Sequence, residues 1–251
     1  MTTQTDTETP AQTLKGRWLL ANADPVEVLQ KLPQLDRIML AIRQEDLLHE
    51  RLGIITDVRV GADQITISGD AEITHIPRHR FAKTYLDISV EMRGKLYPRL
   101  EFHDAYDSYL FSVTGLEGGA AFLPALMGFE RSEVAMKPVV KSEGASEGAS
   151  EGASQGASAE VAEDDAGLAL LARFQDSGAT IEVRVTNHDI TPVWQGQIDK
   201  IMPMGGFVNI ITKPFHLHLK AGHVAYWQSE NGVHQAIGQN GCPIGLEIKE
   251  L

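Results

Sequence analysis

The feature that most constrains the fold is a low-complexity segment near the middle of the chain. Residues 142–157 read SEGA, SEGA, SEGA, SQGA, with no apolar side chain larger than Ala. Such a segment cannot bury enough apolar surface to offset the entropy lost on ordering. We therefore predict a flexible acidic linker at 141–165 between two folded units at 15–140 and 166–251. Residues 1–14, rich in Thr, Gln and acidic side chains, are predicted to be a disordered tail.

Both units have the pattern of a helix followed by several strands. Asp24 is a typical N-cap with Pro25 at the first helical position, and helices are also predicted from residue 116 to Pro124 and at 166–174. Runs of alternating apolar residues separated by Gly, Asp and Asn predict antiparallel strands. These runs lie at 37–42, 54–60, 64–68, 72–76, 83–92, 98–102 and 108–113, and at 180–185, 195–201, 207–211, 215–219, 224–228 and 245–249. The predicted fold class is α+β, with antiparallel sheets and short flanking helices.

The two units also match each other when one sequence is shifted along the other. One constant shift aligns turn glycines, apolar alternation and one histidine without a gap. The aligned pairs include Gly53 with Gly196, Ile55 with Ile198, Ile65 with Val208, Ile67 with Ile210, and His75 with His218. A slightly smaller shift continues the match, with Phe111 on Leu246 and Val113 on Ile248. We interpret the chain as an internal duplication whose second repeat is the shorter one.

Charge and cysteine content exclude several classes of function. The chain has 22 Lys and Arg against 34 Asp and Glu, a formal net charge of −12, so no nucleic-acid partner is expected. The single thiol, Cys242, can form neither an internal disulfide nor a multi-cysteine metal site. Because the sequence shows neither a signal-peptide pattern nor an apolar run of spanning length, we expect a cytoplasmic protein without membrane insertion.

Two groups of segments resemble the haem-utilisation proteins of the HemS/ChuX type. Residues 42–53 (IRQEDLLHERLG), 72–75 and 100–113 (LEFHDAYDSYLFSV) are similar to the first repeat of that family. Residues 196–219 (GQIDKIMPMGGFVNIITKPFHLHL) are similar to the second repeat, with a Gly-Phe, an Asn and a closing Leu-His-Leu. On this resemblance the units at 15–140 and 166–251 are HemS/ChuX-like repeats.

The resemblance implies a pair of antiparallel sheets, with haem held between a sheet and helices by a His on one side and an Arg on the other. It implies a cytoplasmic protein that binds haem after uptake and delivers it onward, with haem degradation in some members. The strand Arg that some members use falls on His75 in this chain. The helix that carries the axial His in two-repeat members corresponds to residues 166–174, which contain no His.

The densest group of candidate ligands lies at residues 75–81 (HIPRHRF), beginning near the end of the strand predicted at 72–76. Haem needs an axial donor such as imidazole, an apolar slot, and cations for its propionates. His75 is the candidate ligand of the haem iron, and Arg78 and Arg80 offer guanidinium groups suited to carboxylates. His79 and Phe81 complete this candidate ligand-binding group. The alternative interpretation is a solvated polar loop.

His216 and His218 form a second candidate group. Residues two apart on a strand share one face of the sheet. Three interpretations fit the pair: hydrogen-bonded sheet histidines, ligands of haem, or ligands of another metal ion. His49 and Glu50 (LLHERLG) are interpreted as residues that cap a turn into the next strand.

Two functional hypotheses follow. The first is a cytoplasmic haem-binding or haem-trafficking protein, whose partners are haem and a haem-receiving or regulatory protein; no residue demands haem degradation, so enzymatic activity stays open. The alternative is a non-enzymatic regulatory or protein-interaction module that keeps the fold but has lost the haem site. The helix without His and the acidic linker favour this alternative.

Overall fold

A computed structural model describes residues 15–69, 72–92, 94–136 and 160–251. The predicted tail at 1–14, and the predicted linker as far as residue 159, lie outside the described residues. Among the residues that are described, no helix combines the length and the hydropathy that a membrane-spanning helix needs.

Three α-helices form in the described part of the chain: α1 at Pro25–Leu29, α2 at Phe122–Ala125 and α3 at Ala166–Ser177. Helix α1 begins after the predicted cap, because Asp24 Oδ1 accepts a hydrogen bond from the backbone N–H of Val26 at 2.9 Å. Asp165 caps α3 in the same way, and α3 ends at Gly178, which has a φ of 63°. Two 3₁₀ turns lie at Leu32–Gln34 and Arg78–Arg80.

The described strands run as follows in chain order: β1 Arg17–Ala21, β2 Ile38–Gln44, β3 Leu47–Gly53, β4 Asp57–Val60, β5 Gln64–Ser68, β6 Glu72–Pro77, β7 Lys83–Asp87, β8 Glu91–Met92, β9 Lys95–Leu96, β10 Arg99–His103, β11 Tyr109–Gly115, β12 Glu130–Val134, β13 Ile181–Val185, β14 Thr191–Gly196, β15 Ile201–Met204, β16 Phe207–Ile211, β17 Phe215–Lys220, β18 Tyr226–Glu230, β19 Val233–Ile237 and β20 Pro243–Glu250.

Each of the two large sheets contains strands from both sides of the predicted linker. The ten-stranded sheet has the order β12-β1-β7-β10-β11-β2-β3-β17-β16-β15, and the eight-stranded sheet has the order β18-β19-β20-β13-β14-β6-β5-β4. The halves join where β3 pairs with β17 and where β14 pairs with β6, both antiparallel. The two halves therefore share both sheets.

The strand order of the eight-stranded sheet also occurs within the ten-stranded sheet. Strands β18, β19, β20, β13 and β14 take the places of β7, β10, β11, β2 and β3, and β6, β5 and β4 take the places of β17, β16 and β15. The shift that aligns His75 with His218 also superposes the first residues of β2 and β13, of β5 and β16, and of β6 and β17. His75 and His218 thus occupy the same place on corresponding strands of different sheets.

Two apolar clusters lie between the sheets. In the first, Phe102 and Phe111 of the ten-stranded sheet are buried together with Ile65 and Ile76 of the eight-stranded sheet. In the second, α3 contributes Leu170, Leu171 and Phe174, which are buried with residues of β13, β16, β17 and β20. The side chains that face away from these clusters form the outer faces of the sheets.

Several element boundaries differ from the sequence-based expectations. Helix α2 includes Pro124, which its first turn tolerates because that turn needs no backbone donor at this position. The predicted strand at 195–201 is wrong, since β14 ends at Gly196 and β15 begins at Ile201. No strand is predicted at β3, because residues on both of its faces are buried and the apolar alternation is lost.

Candidate functional site

Among the residues that the structure describes, a compact group of ligand atoms lies on the outer face of the ten-stranded sheet, where the two halves of the chain meet. The register of β3 with β17 places Glu50 opposite His216, and His218 follows on the same face. Leu217, between the two histidines, points to the other face and belongs to the second apolar cluster. Strand pairing thus brings together residues that lie 166 positions apart in the sequence.

The three side chains converge on one carboxylate oxygen. Glu50 Oε2 lies 3.2 Å from His216 Nδ1 and 3.4 Å from His218 Nε2. The three ligand atoms all lie within 4.8 Å of one another. The side chains of Glu50 and His216 are 6% and 10% exposed, whereas that of His218 is 22% exposed. The group is therefore shielded from solvent except on the side of His218.

Asn209 fixes the orientation of His218. The Asn209 amide nitrogen, Nδ2, donates to the carbonyl oxygens of Met202 at 2.8 Å and Phe207 at 3.2 Å, so Oδ1 faces the ring as an acceptor. His218 Nδ1 lies 2.7 Å from Asn209 Oδ1 and must be the N–H donor of this hydrogen bond. In the neutral ring the lone pair then lies on Nε2, the atom that faces Glu50.

Glu50 is ionised in this environment. Burial raises the pKa of its carboxyl group, but hydrogen bonds from His216 and His218 outweigh burial and lower the pKa to about 2. The group therefore presents one negative charge and two imidazole rings, a donor set that can hold a proton or a metal cation.

A second polar network on the same outer face is already paired within itself. Arg17 Nη2 donates to Glu101 Oε2 at 2.9 Å, and Arg99 Nη2 lies 3.0 Å from the other oxygen of Glu101. Arg99 also lies 3.7 Å from a carboxylate oxygen of Asp87. Because opposite charges balance here, the network accounts for the burial of its members rather than for a ligand site.

His75 lies in the eight-stranded sheet, so the structure separates it from His216 and His218. The registers of β5 and β14 place Thr66 and Thr191 on either side of it. The His75 side chain is partly buried. Its Nδ1 atom is buried and has no hydrogen-bond partner among the described residues.

The rest of the predicted group begins in the 3₁₀ turn that follows β6. Arg78 and His79 are exposed to solvent. Arg80 forms an ion pair with Asp189 of the other half of the chain. Arg78 and His79 are therefore open to solvent close to His75 in sequence, and Arg80 is engaged in a contact between the halves.

Phe81 packs toward the first apolar cluster. Its ring contacts Phe102 and Phe111 edge to face, with centroid separations of 5.9 Å in both cases. This contact anchors the segment after the 3₁₀ turn to the ten-stranded sheet.

Glu50 was not predicted to belong to a site. The structure places His49 and Glu50 within β3, on opposite faces, rather than in a turn. A signal was present in the preceding residues, because the polar pair Glu45 and Asp46 separates β2 from β3 as in a two-residue hairpin. Glu45 has the positive φ, 47°, that such a turn requires.

The fold defined by these two sheets is shared with solved haem-related proteins. No protein-family model matches the chain, and no curated protein matches its sequence. ChuS, described as an Escherichia coli haem oxygenase, superposes with a TM-score of 0.67 at 16% identity, covering 94% of this chain and 83% of that chain. A second ChuS structure, described as a haem-degrading enzyme of Escherichia coli O157:H7, gives a TM-score of 0.69 at 18% identity over 96% of this chain and 83% of that chain.

PhuS, described as a haem-binding protein from Pseudomonas aeruginosa, is similar to the same extent. Its holo structure has a TM-score of 0.67 at 17% identity, covering 94% of this chain and 82% of that chain. The predicted resemblance to haem-utilisation proteins of the HemS/ChuX type is thereby confirmed for the fold.

Proposed function

We propose that this chain is a haem-binding protein of the cytoplasm that receives haem and passes it on to a partner protein. The observation that carries the proposal is the fold, which matches holo-PhuS, a haem-binding protein, over 94% of this chain. The charge of the chain, −12, agrees with a small-molecule or protein partner rather than a nucleic acid.

His75, Arg78 and His79 are the residues that we propose hold haem. The imidazole of His75 is partly buried, and its Nδ1 atom has no hydrogen-bond partner in the described part of the chain. Arg78 and His79 are exposed close by in sequence and can pair with propionate carboxylates. Haem supplies iron and an apolar macrocycle when bound, and His75 supplies an axial nitrogen.

We further propose that the two halves of the chain are repeats of one unit. The repeats exchange three-stranded antiparallel segments, β4 to β6 of the first half and β15 to β17 of the second. The matching strand orders, and the constant shift that relates the corresponding strands, support this proposal. His75 and His218 are then equivalent residues, and each is a matched control for the other.

A titration with hemin tests the haem proposal. The full chain should give a saturable, shifted Soret band, and His75→Ala should abolish or shift that band. Arg78→Ala should weaken binding by about tenfold, because a charge-assisted hydrogen bond to a propionate is lost. His218→Ala should bind hemin like the parent.

Two results would contradict the assignment. A spectrum equal to that of hemin mixed with a nonspecific carrier would exclude haem binding and favour an interaction module that has lost the haem site. A band that His218→Ala loses and His75→Ala keeps would move the ligand to the ten-stranded sheet.

A further inference from the structure

We propose that Glu50, His216 and His218 form a binding site for a divalent transition-metal cation such as Zn²⁺, separate from the proposed haem site. The three side chains supply two imidazole nitrogens and one carboxylate oxygen, a ligand set that suits Zn²⁺ and related ions. The proposal does not depend on haem binding, because the site lies in the other sheet from His75.

The distances between the ligand atoms suit coordination of one ion. With metal–ligand bonds of about 2.1 Å in tetrahedral geometry, two ligand atoms lie about 3.4 Å apart. Glu50 Oε2 lies 3.2 Å and 3.4 Å from the two imidazole nitrogens. The two imidazole nitrogens are separated by up to 4.8 Å. They must therefore approach each other by up to about 1.4 Å to hold one cation with Glu50.

The hydrogen bond to Asn209 prepares His218 as a ligand. Because His218 Nδ1 donates to Asn209 Oδ1, the neutral ring directs the lone pair of Nε2 toward the negative charge of Glu50. Asn209 is itself held by backbone carbonyl groups, so it acts as a positioning residue for the ligand.

The surroundings of Glu50 favour a bound cation. The ion pairs that the structure shows for Glu50 are with His216 and His218, and none is with Lys or Arg among the described residues. Leu48 and Ala41, which lie opposite His218 and Glu50 on neighbouring strands, are buried apolar residues. In this weakly polar environment the carboxylate lacks a permanent countercharge, and a bound cation would supply one.

The site is present in one of the two corresponding sheets. The residues that correspond to Glu50, His216 and His218 are Val193, Ile73 and His75. Val and Ile side chains provide no ligand atoms. His75 therefore corresponds to His218 but lacks the counterparts of the other two ligands. The chain therefore contains its own control for a strand histidine without the other two ligands.

Metal titration of the full chain without an affinity tag tests the proposal. Calorimetry with Zn²⁺ should show one site per chain, and Co²⁺ should give the ligand-field absorption of a nitrogen- and oxygen-coordinated ion. His216→Ala, His218→Ala and Glu50→Gln should each weaken Zn²⁺ binding by more than about 100-fold, exceeding the loss typical of outer-shell changes. Asn209→Ala should weaken it about 10- to 100-fold, and His75→Ala should bind Zn²⁺ like the parent.

The controls keep the proposal falsifiable if one variant does not fold. His218 is the most exposed of the three side chains, so His218→Ala carries the test if Glu50→Gln or His216→Ala unfolds. Zn²⁺ binding by a folded His218→Ala at the parent affinity would overturn the proposal, as would an equal loss in His75→Ala. Failure of the parent to bind Zn²⁺ would overturn the proposal, whatever the hemin titration shows.

Discussion

Glu50 and His216 face each other across the boundary between the two halves of the chain, with 3.2 Å between Glu50 Oε2 and His216 Nδ1. Glu50 belongs to β3 and His216 to β17, and the backbone pairing of these strands sets their separation. Neither half contains both residues. The proposed metal site therefore exists only when the two halves share the ten-stranded sheet.

Cleavage between the halves should leave them associated. Replacing residues 146–149 with the recognition sequence of a specific protease allows the chain to be cut within the predicted linker. The fragments should elute together from a sizing column, because separation would expose the paired edges of β3, β17, β6 and β14. Elution as two separate fragments without denaturant would show that these strand pairings contribute little stability.

Gly245→Ala should destabilise the fold more than a comparable change elsewhere. Gly245 has a φ of 81°, and a Cβ atom there would overlap the carbonyl oxygen of Thr186 and the side chain of Gln44. We expect the free energy of unfolding in urea to fall by about 3 kcal/mol. The control is Gly241→Ala, which has a φ of 76° but open space, and should lose about 1 kcal/mol. Equal losses would show that the contact between Gly245 and Gln44 imposes no constraint.

His49 should make stability depend on pH in the acid range. The side chain is fully buried, and neither ring nitrogen has a hydrogen-bond partner among the described residues. Burial, reinforced by the nearby Arg51, lowers the pKa of His49 from 6.5 to about 3. Between pH 6.5 and pH 3 the unfolded chain binds a proton at His49 that the folded chain does not. The contribution of His49 to the free energy of unfolding is therefore fully present above pH 6.5 and is lost as the pH falls toward 3.

Urea unfolding at pH 8 and pH 5, in the presence of a chelator, measures this effect. The free energy of unfolding of the parent should be lower at pH 5 than at pH 8. His49→Leu should reduce this difference by about 2 kcal/mol. His79→Leu, at an exposed position, is the control and should follow the parent. A parent-like loss in His49→Leu would show that the ring is protonated in the folded protein.

Asp189→Asn should strengthen hemin binding if a propionate lies near the 3₁₀ turn. Asp189 pairs with Arg80, so removing its charge releases the guanidinium group for a carboxylate ligand. We expect the dissociation constant measured from the Soret band to fall severalfold. Asp57→Asn, which removes the partner of the exposed Arg59, should leave hemin binding unchanged. A weaker affinity in Asp189→Asn would show that the ion pair positions the haem-binding segment.

The local signals in the sequence were sufficient for many of the elements. Some signals depend only on residues close together in sequence, so they predict an element without knowledge of the fold. Examples are the cap at Asp24, the apolar pattern of α3 and the alternation in β5 and β16. The same holds for His216 and His218, whose spacing places them on one face of a strand whatever that strand pairs with.

The sequence by itself determined the antiparallel α+β class, helices α1 and α3, the cap at Asp24 and the candidate histidines. The tertiary structure decided which of those histidines meet, since it placed His75 in one sheet and His216 with His218 in the other. It also decided that Glu50 completes the group, because β3 and β17 pair although Glu50 and His216 lie 166 positions apart. Such pairing depends on backbone hydrogen bonds and on burial of both faces, and neither leaves a pattern in the residues of one strand alone.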